Sequence, residues 1–200
     1  MFKVSCIQIC SGKDIKKNLS ISKKLIIKAI KKKSDFIITP ETSSLFGLKK
    51  KQLIKTATSM DKDIYLKGIK QISKKYQKWI LTCVVIKEKN KIKNRSVLIN
   101  PKGLVQTYYD KIHMFDVVLN KKEKYLESKT FEAGKYLKIG NLPWGKLGLS
   151  ICYDVRFPNM YRKLAQMGSL FIAVPSAFTE TTGKKHWHSL LKARAIENFS

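Results

Sequence analysis

Short apolar runs alternate along the chain with lysine-rich segments of helical period, a pattern typical of α/β proteins. The apolar runs predict strands at Phe2–Ile9, Asp35–Thr39, Trp79–Ile86, Ser96–Asn100, Leu104–Tyr109, Lys146–Ile151 and Ser169–Val174, the first of them buried. The periodic segments predict helices over about Ile15–Lys33, Asp61–Lys75, Phe157–Met167 and Lys184–Asn198. The last helix offers Trp187, Leu190, Leu191 and Ala195 for one apolar face.

Two further features of the pattern refine this fold class. A turn at Pro101–Gly103 joins two neighbouring strands, so we expect mixed rather than wholly parallel sheets. The segment from Asp110 to Lys138 is polar and irregular, and it is longer than an idle connection. Because long ordered loops often carry function, we expect this segment to contribute to a site.

Composition adds the expectation of one globular domain covering residues 1–200. The chain has 200 residues, of which 44% are hydrophobic and 10% aromatic, and this is enough for a sizeable core. No apolar run approaches the ~20 residues that a membrane span needs. The first residues, MFKVSCIQIC, lack the layout of a signal peptide, so we expect a cytoplasmic protein without a membrane partner.

The cysteines point to thiol chemistry rather than to disulfides or metal. Four cysteines, Cys6, Cys10, Cys83 and Cys152, are too few for a disulfide scaffold. No second Cys/His pair with zinc-finger spacing accompanies Cys6 and Cys10, so we expect no metal site.

The formal net charge of +27 raises the question of nucleic-acid binding. Only four of the 41 basic residues are arginines, although arginine is preferred for base edges and bidentate phosphate contacts. The lysines are also spread along the chain, for example in Lys31–Lys33 and Lys121–Lys124. We therefore expect weak, salt-sensitive association with polyanions but no specific nucleic-acid partner.

The stretch Leu147–Pro158, LGLSICYDVRFP, is the strongest local signal for chemistry. An apolar strand carries Cys152 to an abrupt polar turn, and a helix-like segment follows. A helix N-terminus favours developing negative charge, so a cysteine there can act as a nucleophile. From this stretch alone, the alternative that Cys152 is a small buried hydrophobe stays open.

Two more polar residues follow predicted strands. Glu41 comes after the run IITP, and Lys111 comes after VQTYYD. Strand ends that meet at one sheet edge commonly form sites in α/β proteins. A carboxylate can accept a thiol proton, and a cation can stabilise an oxyanion. Taken singly, Glu41 and Lys111 could equally be a solvated carboxylate and a surface lysine.

Three motifs together resemble those of the nitrilase superfamily, the carbon–nitrogen hydrolases. ITPETSSLFG is similar to the catalytic-glutamate segment of the family, YDKIHMFD to its lysine segment and LSICYDVRFP to its cysteine segment. The resemblance covers nearly the whole chain. ESKTFEAG and PSAFTETTGKKHWHSLLKARAIEN resemble the branch that contains omega-amidase and deaminated-glutathione amidase.

The resemblance implies a set of catalytic roles. It implies that Cys152 is the nucleophile, Glu41 the general base and Lys111 the oxyanion-stabilising cation. Glu127 matches a second glutamate beside the site, and the backbone N–H of Tyr153 would be a second oxyanion donor. The implied reaction is hydrolysis of a small carboxylate-bearing amide through a thioester, with release of ammonia and no cofactor.

Other residues near these motifs have more open roles. Arg156 could brace the turn after Cys152 or meet a substrate carboxylate. Phe178, Thr179 and Trp187 could line the substrate pocket.

We expect His113 to be a neighbour in the site wall rather than a catalytic base, and Asp154 to cap the turn and the helix rather than to carry a proton. His186 and His188 are two positions apart on a helix and do not share a face, so we do not expect them to bind a metal together. Many relatives carry an acidic residue in place of His188.

The resemblance also implies a fold and an assembly. The family fold is a four-layer α-β-β-α sandwich of two mixed sheets, and its members usually form at least dimers. Because the family continues well past residue 200, we expect a chain that lacks C-terminal strands, as part of a longer protein or as an eroded gene product. The rival functional hypothesis is an inactive, basic protein that binds nucleic acid or acidic partners.

Overall fold

The computed structural model describes residues 1–120 and 123–199, so Lys121, Lys122 and Ser200, including half of the predicted lysine run 121–124, lie outside the described residues. The described helices are α1 Ile15–Lys31, α2 Lys50–Thr56, α3 Ile64–Tyr76, α4 Pro158–Gln166 and α5 Glu180–Asn198. The described strands are β1 Val4–Cys6, β2 Phe36–Ile38, β3 Trp79–Glu88, β4 Lys91–Ile99, β5 Val105–Asp110, β6 Asp116–Val118, β7 Lys124–Leu126, β8 Ile139–Leu142, β9 Gly145–Leu149 and β10 Ser169–Ala173.

The first sheet has the strand order β1-β2-β3-β4-β5, and its strands β3 and β4 are buried on both faces. Strands β1 to β3 run parallel, and β3 to β5 run antiparallel. Successive side chains of a strand point to opposite faces. Ile80 and Val97 therefore pack against α1 and α3, whereas Leu81 and Leu98 belong to the core shared with the second sheet.

The second sheet has the order β10-β9-β8, with one parallel and one antiparallel pair. Leu147 and Leu149 of β9 join Leu98 of the first sheet in one core. Gly148, between these two leucines in β9, faces the opposite side of the sheet, where an added Cβ would contact Leu164 of α4. The layers are therefore helices, sheet, sheet and helices, which confirms the predicted α-β-β-α sandwich of mixed sheets.

Side-chain caps set the starts of α1, α3 and α5, and the predicted start is correct for α1 alone. Asp14 accepts the backbone N–H groups of Lys16 and Lys17 and starts α1 one residue later, as predicted. Asp63 caps α3 through Leu66 N–H, so α3 begins three residues after its predicted start. Thr179 caps α5, which begins four residues before its predicted start. No described helix has the length and apolarity that crossing a bilayer requires.

Several sequence predictions about elements were wrong. Strand β1 is short and half exposed rather than buried, because it is an edge strand. Residues 110–138 are less irregular than expected, since β6 pairs with β7 and a 3-10 helix covers Glu127–Lys129. Helix α2 and strand β8 were not predicted, because each is short; α2 buries only Leu53.

The apolar face predicted for the last helix is only partly correct. Leu190 and Leu191 pack against the core, but Ala195 is exposed. Arg194 is buried instead, where its Nε donates to the carbonyl of Val155 at 2.8 Å. A hydrogen bond to a backbone carbonyl lets a charged side chain occupy a position that hydrophobicity alone would not assign to it.

Candidate active site

Cys152 lies at an abrupt turn between β9 and α4. The chain leaves β9 beside β10, and the N–H of Cys152 donates to Pro175 O at 3.0 Å. Cys152 has φ 49°, a left-handed conformation that is strained for a residue other than glycine. A 3-10 helix over Cys152–Arg156 follows, and α4 starts at Pro158. The sequence therefore folds into the strand–turn–helix arrangement that it predicted.

Glu41 follows β2 through a short loop and is 7% exposed. Its Oε1 accepts hydrogen bonds from Lys111 Nζ and Asn94 Nδ2, both at 2.8 Å. Its Oε2 accepts the backbone N–H of Ala177 at 2.9 Å. The next residue, Thr42, has φ 51°, so strained backbone occurs beside Glu41 as well as at Cys152.

Lys111 immediately follows β5, and its ammonium lies between two carboxylates. Nζ is 2.8 Å from Glu41 Oε1 and 2.8 Å from Glu127 Oε2. Glu127 begins the 3-10 helix after β7, and its Oε2 also accepts the N–H of Phe115 at 2.7 Å. The predicted residues Glu41, Lys111 and Glu127 therefore form one buried ionic cluster.

Burial and the charges of this cluster together set the protonation of Cys152. Burial raises the pKa of Glu41, but the charge and hydrogen bonds of Lys111 outweigh it, so the pKa of Glu41 is lowered overall. Burial lowers the pKa of Lys111, but the nearby acidic groups, Glu41 first, raise it overall. Burial and the charge of Glu41 raise the pKa of Cys152 well above its ordinary value. The resting site thus pairs a thiol with a carboxylate.

Asn94 completes the cluster and was not predicted. It is in the middle of β4, opposite Val85 of β3, and its Nδ2 reaches both Glu41 at 2.8 Å and Glu127 at 3.4 Å. The signal that could have identified it is a polar residue on the inward face of the strand run KIKNRSVLI. Asn94 shares the face of Leu98, which is four residues along the strand.

Asp154 links the lysine segment to the cysteine turn. Its Oδ2 accepts Ile151 N–H at 2.8 Å and the hydroxyl of Tyr109 at 2.7 Å. Its Oδ1 accepts the N–H of His113 at 3.0 Å and is 2.7 Å from His113 Nδ1. Asp154 therefore does more than the predicted capping of the turn.

A cavity of about 510 Å³ opens onto these groups. Its described lining is mostly apolar and includes Cys152, Tyr153, Phe178, Thr179 and Lys124. The lining therefore contains the predicted nucleophile, Cys152, and two of the four residues predicted to bind substrate.

The other two predicted substrate-binding residues are outside that lining. Trp187 packs on Phe178 with ring centroids 4.8 Å apart. Arg156 lies 5.8 Å from the ring of Tyr153 and 5.7 Å from that of Phe178. Its Nη2 is 3.1 Å from Nδ1 of His186, a contact that links the 3-10 helix after Cys152 to α5.

None of the three histidines belongs to the ionic cluster of Glu41, Lys111 and Glu127. His113 stacks on Phe157, with ring centroids 3.5 Å apart, and is outside the described lining of the cavity. His186 and His188 are exposed on α5. Within residues 1–120 and 123–199, no three His, Cys, Asp or Glu side chains form a group that could hold a metal ion.

The fold and the site define a class of protein. A buried thiol, a carboxylate and an ammonium face one cavity in an α-β-β-α sandwich, an arrangement suited to covalent acyl transfer. The profile of the family described as carbon-nitrogen hydrolase matches residues 3–199. The chain belongs to this carbon-nitrogen hydrolase family, which confirms the resemblance inferred from the three motifs.

Curated relatives agree with this assignment. The chain is 34% identical to a deaminated glutathione amidase of Yersinia enterocolitica, over 98% of this chain and 69% of the relative. It is 36% identical to the deaminated glutathione amidase of Synechocystis sp., over 98% of this chain and 74% of the relative. These similarities favour the hydrolase hypothesis over the rival hypothesis of a basic binding protein.

Solved structures show the same fold. The NitFhit protein of Caenorhabditis elegans superposes with a TM-score of 0.90 at 33% identity, over 98% of this chain and 49% of that chain. Nit3 of Saccharomyces cerevisiae, a member of the nitrilase superfamily, gives a TM-score of 0.86 at 25% identity, over 98% and 72% of the two chains. The chain thus spans about half of NitFhit and nearly three quarters of Nit3.

Proposed function

We propose that the chain carries the active site of an amidase that cleaves the C–N bond of a small carboxylate-bearing amide. The observation that carries the proposal is the position of Glu41. Its carboxylate bonds to Lys111, raises the pKa of the Cys152 thiol and lines the same cavity as that thiol. A base that contacts both the nucleophile and the oxyanion-stabilising cation supports acyl transfer.

In the first half-reaction, Sγ of Cys152 attacks the amide carbonyl and the thiol proton passes to Glu41. The ammonium of Lys111 and the backbone N–H of Tyr153 stabilise the oxyanion. This N–H belongs to the first turn of a 3-10 helix, where backbone donors lack helical acceptors. Glu41 then protonates the leaving nitrogen, the C–N bond breaks, and ammonia (from a primary amide) or an amine (from a secondary amide) departs and leaves a thioester on Cys152.

In the second half-reaction, water attacks the thioester carbonyl while Glu41 accepts one of its protons. The oxyanion forms at the same donors and collapses with cleavage of the C–S bond. Glu41 returns the proton to Cys152, and the carboxylic acid product leaves. One carboxylate serves as base and acid in turn. Substrate, water and these residues balance every step, so we propose no metal or organic cofactor.

The charged groups that line the cavity favour a substrate that bears a carboxylate. The charge of Lys111 is already compensated by two carboxylates, whereas Lys124 also lines the cavity and is exposed. We assign recognition of the substrate carboxylate to Lys124, with Arg156 nearby. Phe178 and Thr179 contact the body of the substrate, and Trp187 supports Phe178.

The names of the relatives suggest the substrate class. Deaminated glutathione, the substrate in those names, has the required amide and carboxylates, and the omega-amide of a 2-oxo acid is the smaller alternative. We further propose a cytoplasmic homodimer or higher homo-oligomer without a specific nucleic-acid or membrane partner. The small number of arginines supports the absence of specific nucleic-acid recognition.

The decisive test is release of cysteinylglycine from deaminated glutathione and of ammonia from alpha-ketoglutaramate. We expect turnover of at least one of them, and a covalent acyl adduct on Cys152 that is detected by mass spectrometry. Cys152→Ala should abolish turnover, whereas Cys6→Ala, which removes an exposed thiol, should not. Full activity of Cys152→Ala, or no turnover of any small amide by folded protein, would contradict the proposal.

A further inference from the structure

Asn94 contacts all three charged members of the site. It is 1% exposed, and its Nδ2 donates to Glu41 Oε1 at 2.8 Å and to Glu127 Oε1 at 3.4 Å. Its backbone carbonyl accepts the N–H of Lys111 at 2.9 Å. A single residue of the central strand β4 therefore binds the side chains of both glutamates and the backbone of the lysine.

The orientation of the Asn94 amide follows from its neighbours. Two carboxylates can only accept hydrogen bonds, so the NH₂ group must face them and Oδ1 must face away. In that orientation Oδ1 is buried and meets no donor among the residues that the structure describes. A buried acceptor without a donor destabilises a fold, and such groups in native proteins call for an explanation.

A purely structural role explains this arrangement poorly. A leucine has nearly the shape of asparagine, suits the inward face that Asn94 shares with Leu98, and has no polar atom to leave unpaired. An asparagine at this position therefore brings a benefit that packing does not require. The residue that its shorter side-chain bond reaches is Glu41.

We propose that Asn94 is a positioning residue that orients Glu41 and stabilises its ionised form, an inference that rests on the proposed function. Lys111 and Asn94 hold Oε1, and Ala177 N–H holds Oε2, so the carboxylate cannot rotate to pair with Lys111 through both oxygens. The Asn94 bond also favours the charged form of Glu41. Glu41 is thereby kept available to Cys152 as a base at lower pH.

The substitution Asn94→Leu tests this role, with Asn94→Ala as a second variant. We expect kcat to fall about tenfold to a hundredfold, because a hydrogen bond to a charged base is lost. KM should change by less than about twofold, since Asn94 acts through Glu41 and not on substrate. The acid limb of the kcat profile should move to higher pH, while the melting temperature stays near that of the wild type.

Asn18→Leu is the matched control. Asn18 is also buried, and its Nδ2 makes two hydrogen bonds, to the backbone carbonyls of Gly12 and Ser44. Its substitution should lower the melting temperature without moving the acid limb. The inference would be overturned if Asn94→Leu lowered the melting temperature but kept the kcat and the acid limb of the wild type.

A second readout needs no substrate. The rate at which iodoacetamide alkylates Cys152, followed by peptide mass spectrometry against pH, depends on proton acceptance by Glu41. We expect its lower inflection to move to higher pH in Asn94→Leu, and an unchanged inflection would overturn the inference. If the wild type hydrolyses neither amide but Asn94→Leu still shifts this inflection, the proposed function is refuted and the role of Asn94 stands.

Discussion

At the scale of single residues, the site is defined by a lysine between two glutamates. Lys111 is 2% exposed, and charges this deeply buried are tolerated only when they are paired. The lowered pKa of Glu41 means that its ionised form stabilises the fold above its ordinary pKa of about 4.5. This contribution is lost as the pH falls through the lowered pKa.

Lys111→Met should abolish activity and reverse this pH dependence. Without the ammonium, burial raises the pKa of Glu41, and the charged carboxylate becomes destabilising as the pH rises. We expect the free energy of unfolding at neutral pH to fall by about 3–5 kcal/mol, as for other broken buried ion pairs. The difference from the wild type should shrink below about pH 4.5 in urea titrations at several pH values.

Lys91→Met is the control for that experiment. Lys91 pairs with Glu132 on the surface, where it is largely exposed, so its loss should change stability little at any pH. If Lys111→Met gave the same small, pH-independent change, the buried ionic cluster would not contribute to the fold as described.

At the scale of secondary-structure elements, the site depends on how the ends of β5 and β9 are joined. Tyr109 is the second-last residue of β5, and its hydroxyl donates to Asp154 and accepts Ile112 N–H at 3.0 Å. Asp154 belongs to the turn that carries Cys152. The lysine and cysteine segments, 41 residues apart at Lys111 and Cys152, are thus fastened through one buried carboxylate.

Asp154→Asn should weaken this connection. An amide cannot accept at both former oxygens, so donors from Ile151, His113 and Tyr109 compete for one acceptor. We expect a loss of about 3 kcal/mol in the free energy of unfolding and a fall in kcat that exceeds the change in KM. Chemical denaturation and steady-state kinetics would measure both quantities.

Asp63→Asn provides a buried-aspartate control at a distance from the site. Asp63 caps α3, and asparagine caps helices about as well as aspartate. This variant should keep both stability and kcat. Equal behaviour of the two variants would argue against a special role for Asp154.

At the scale of the whole molecule, charge is distributed unevenly. Helix α1 carries six lysines and α3 carries four, and neither contains an acidic residue. Several of the 14 acidic residues are instead paired around the site, as Glu41 and Glu127 are. A net charge of +27 attracts anionic substrates to the molecule and is screened by salt.

The net charge predicts that substrate capture depends on salt. KM for a carboxylate-bearing amide should rise several-fold between about 50 mM and about 500 mM salt, because screening weakens the attraction. KM for an uncharged amide of similar size should stay nearly constant, which makes it the matched control. The same salt response for both amides in steady-state kinetics would contradict this electrostatic contribution.

Sequence patterns predicted most elements of the fold because they are local. Apolar runs and helical period identify β3, the second half of β4 and α1, and Asp14 marks where α1 begins. Short elements such as α2 and β8 were missed because they carry too few buried positions for a pattern. The edge position of β1 was missed because exposure of a strand depends on which strands pair with it.

By itself, the sequence determined the α/β class and the three motifs that contain Glu41, Lys111 and Cys152, since each motif is contiguous. Only the tertiary structure decided that Asn94 joins them, because its contacts depend on the register of β4 with its neighbours. The tertiary structure also decided how Lys111 is held. Its ammonium is buried between the carboxylates of Glu41 and Glu127, and the contact with Glu41 joins residues 70 positions apart, which a local motif does not show.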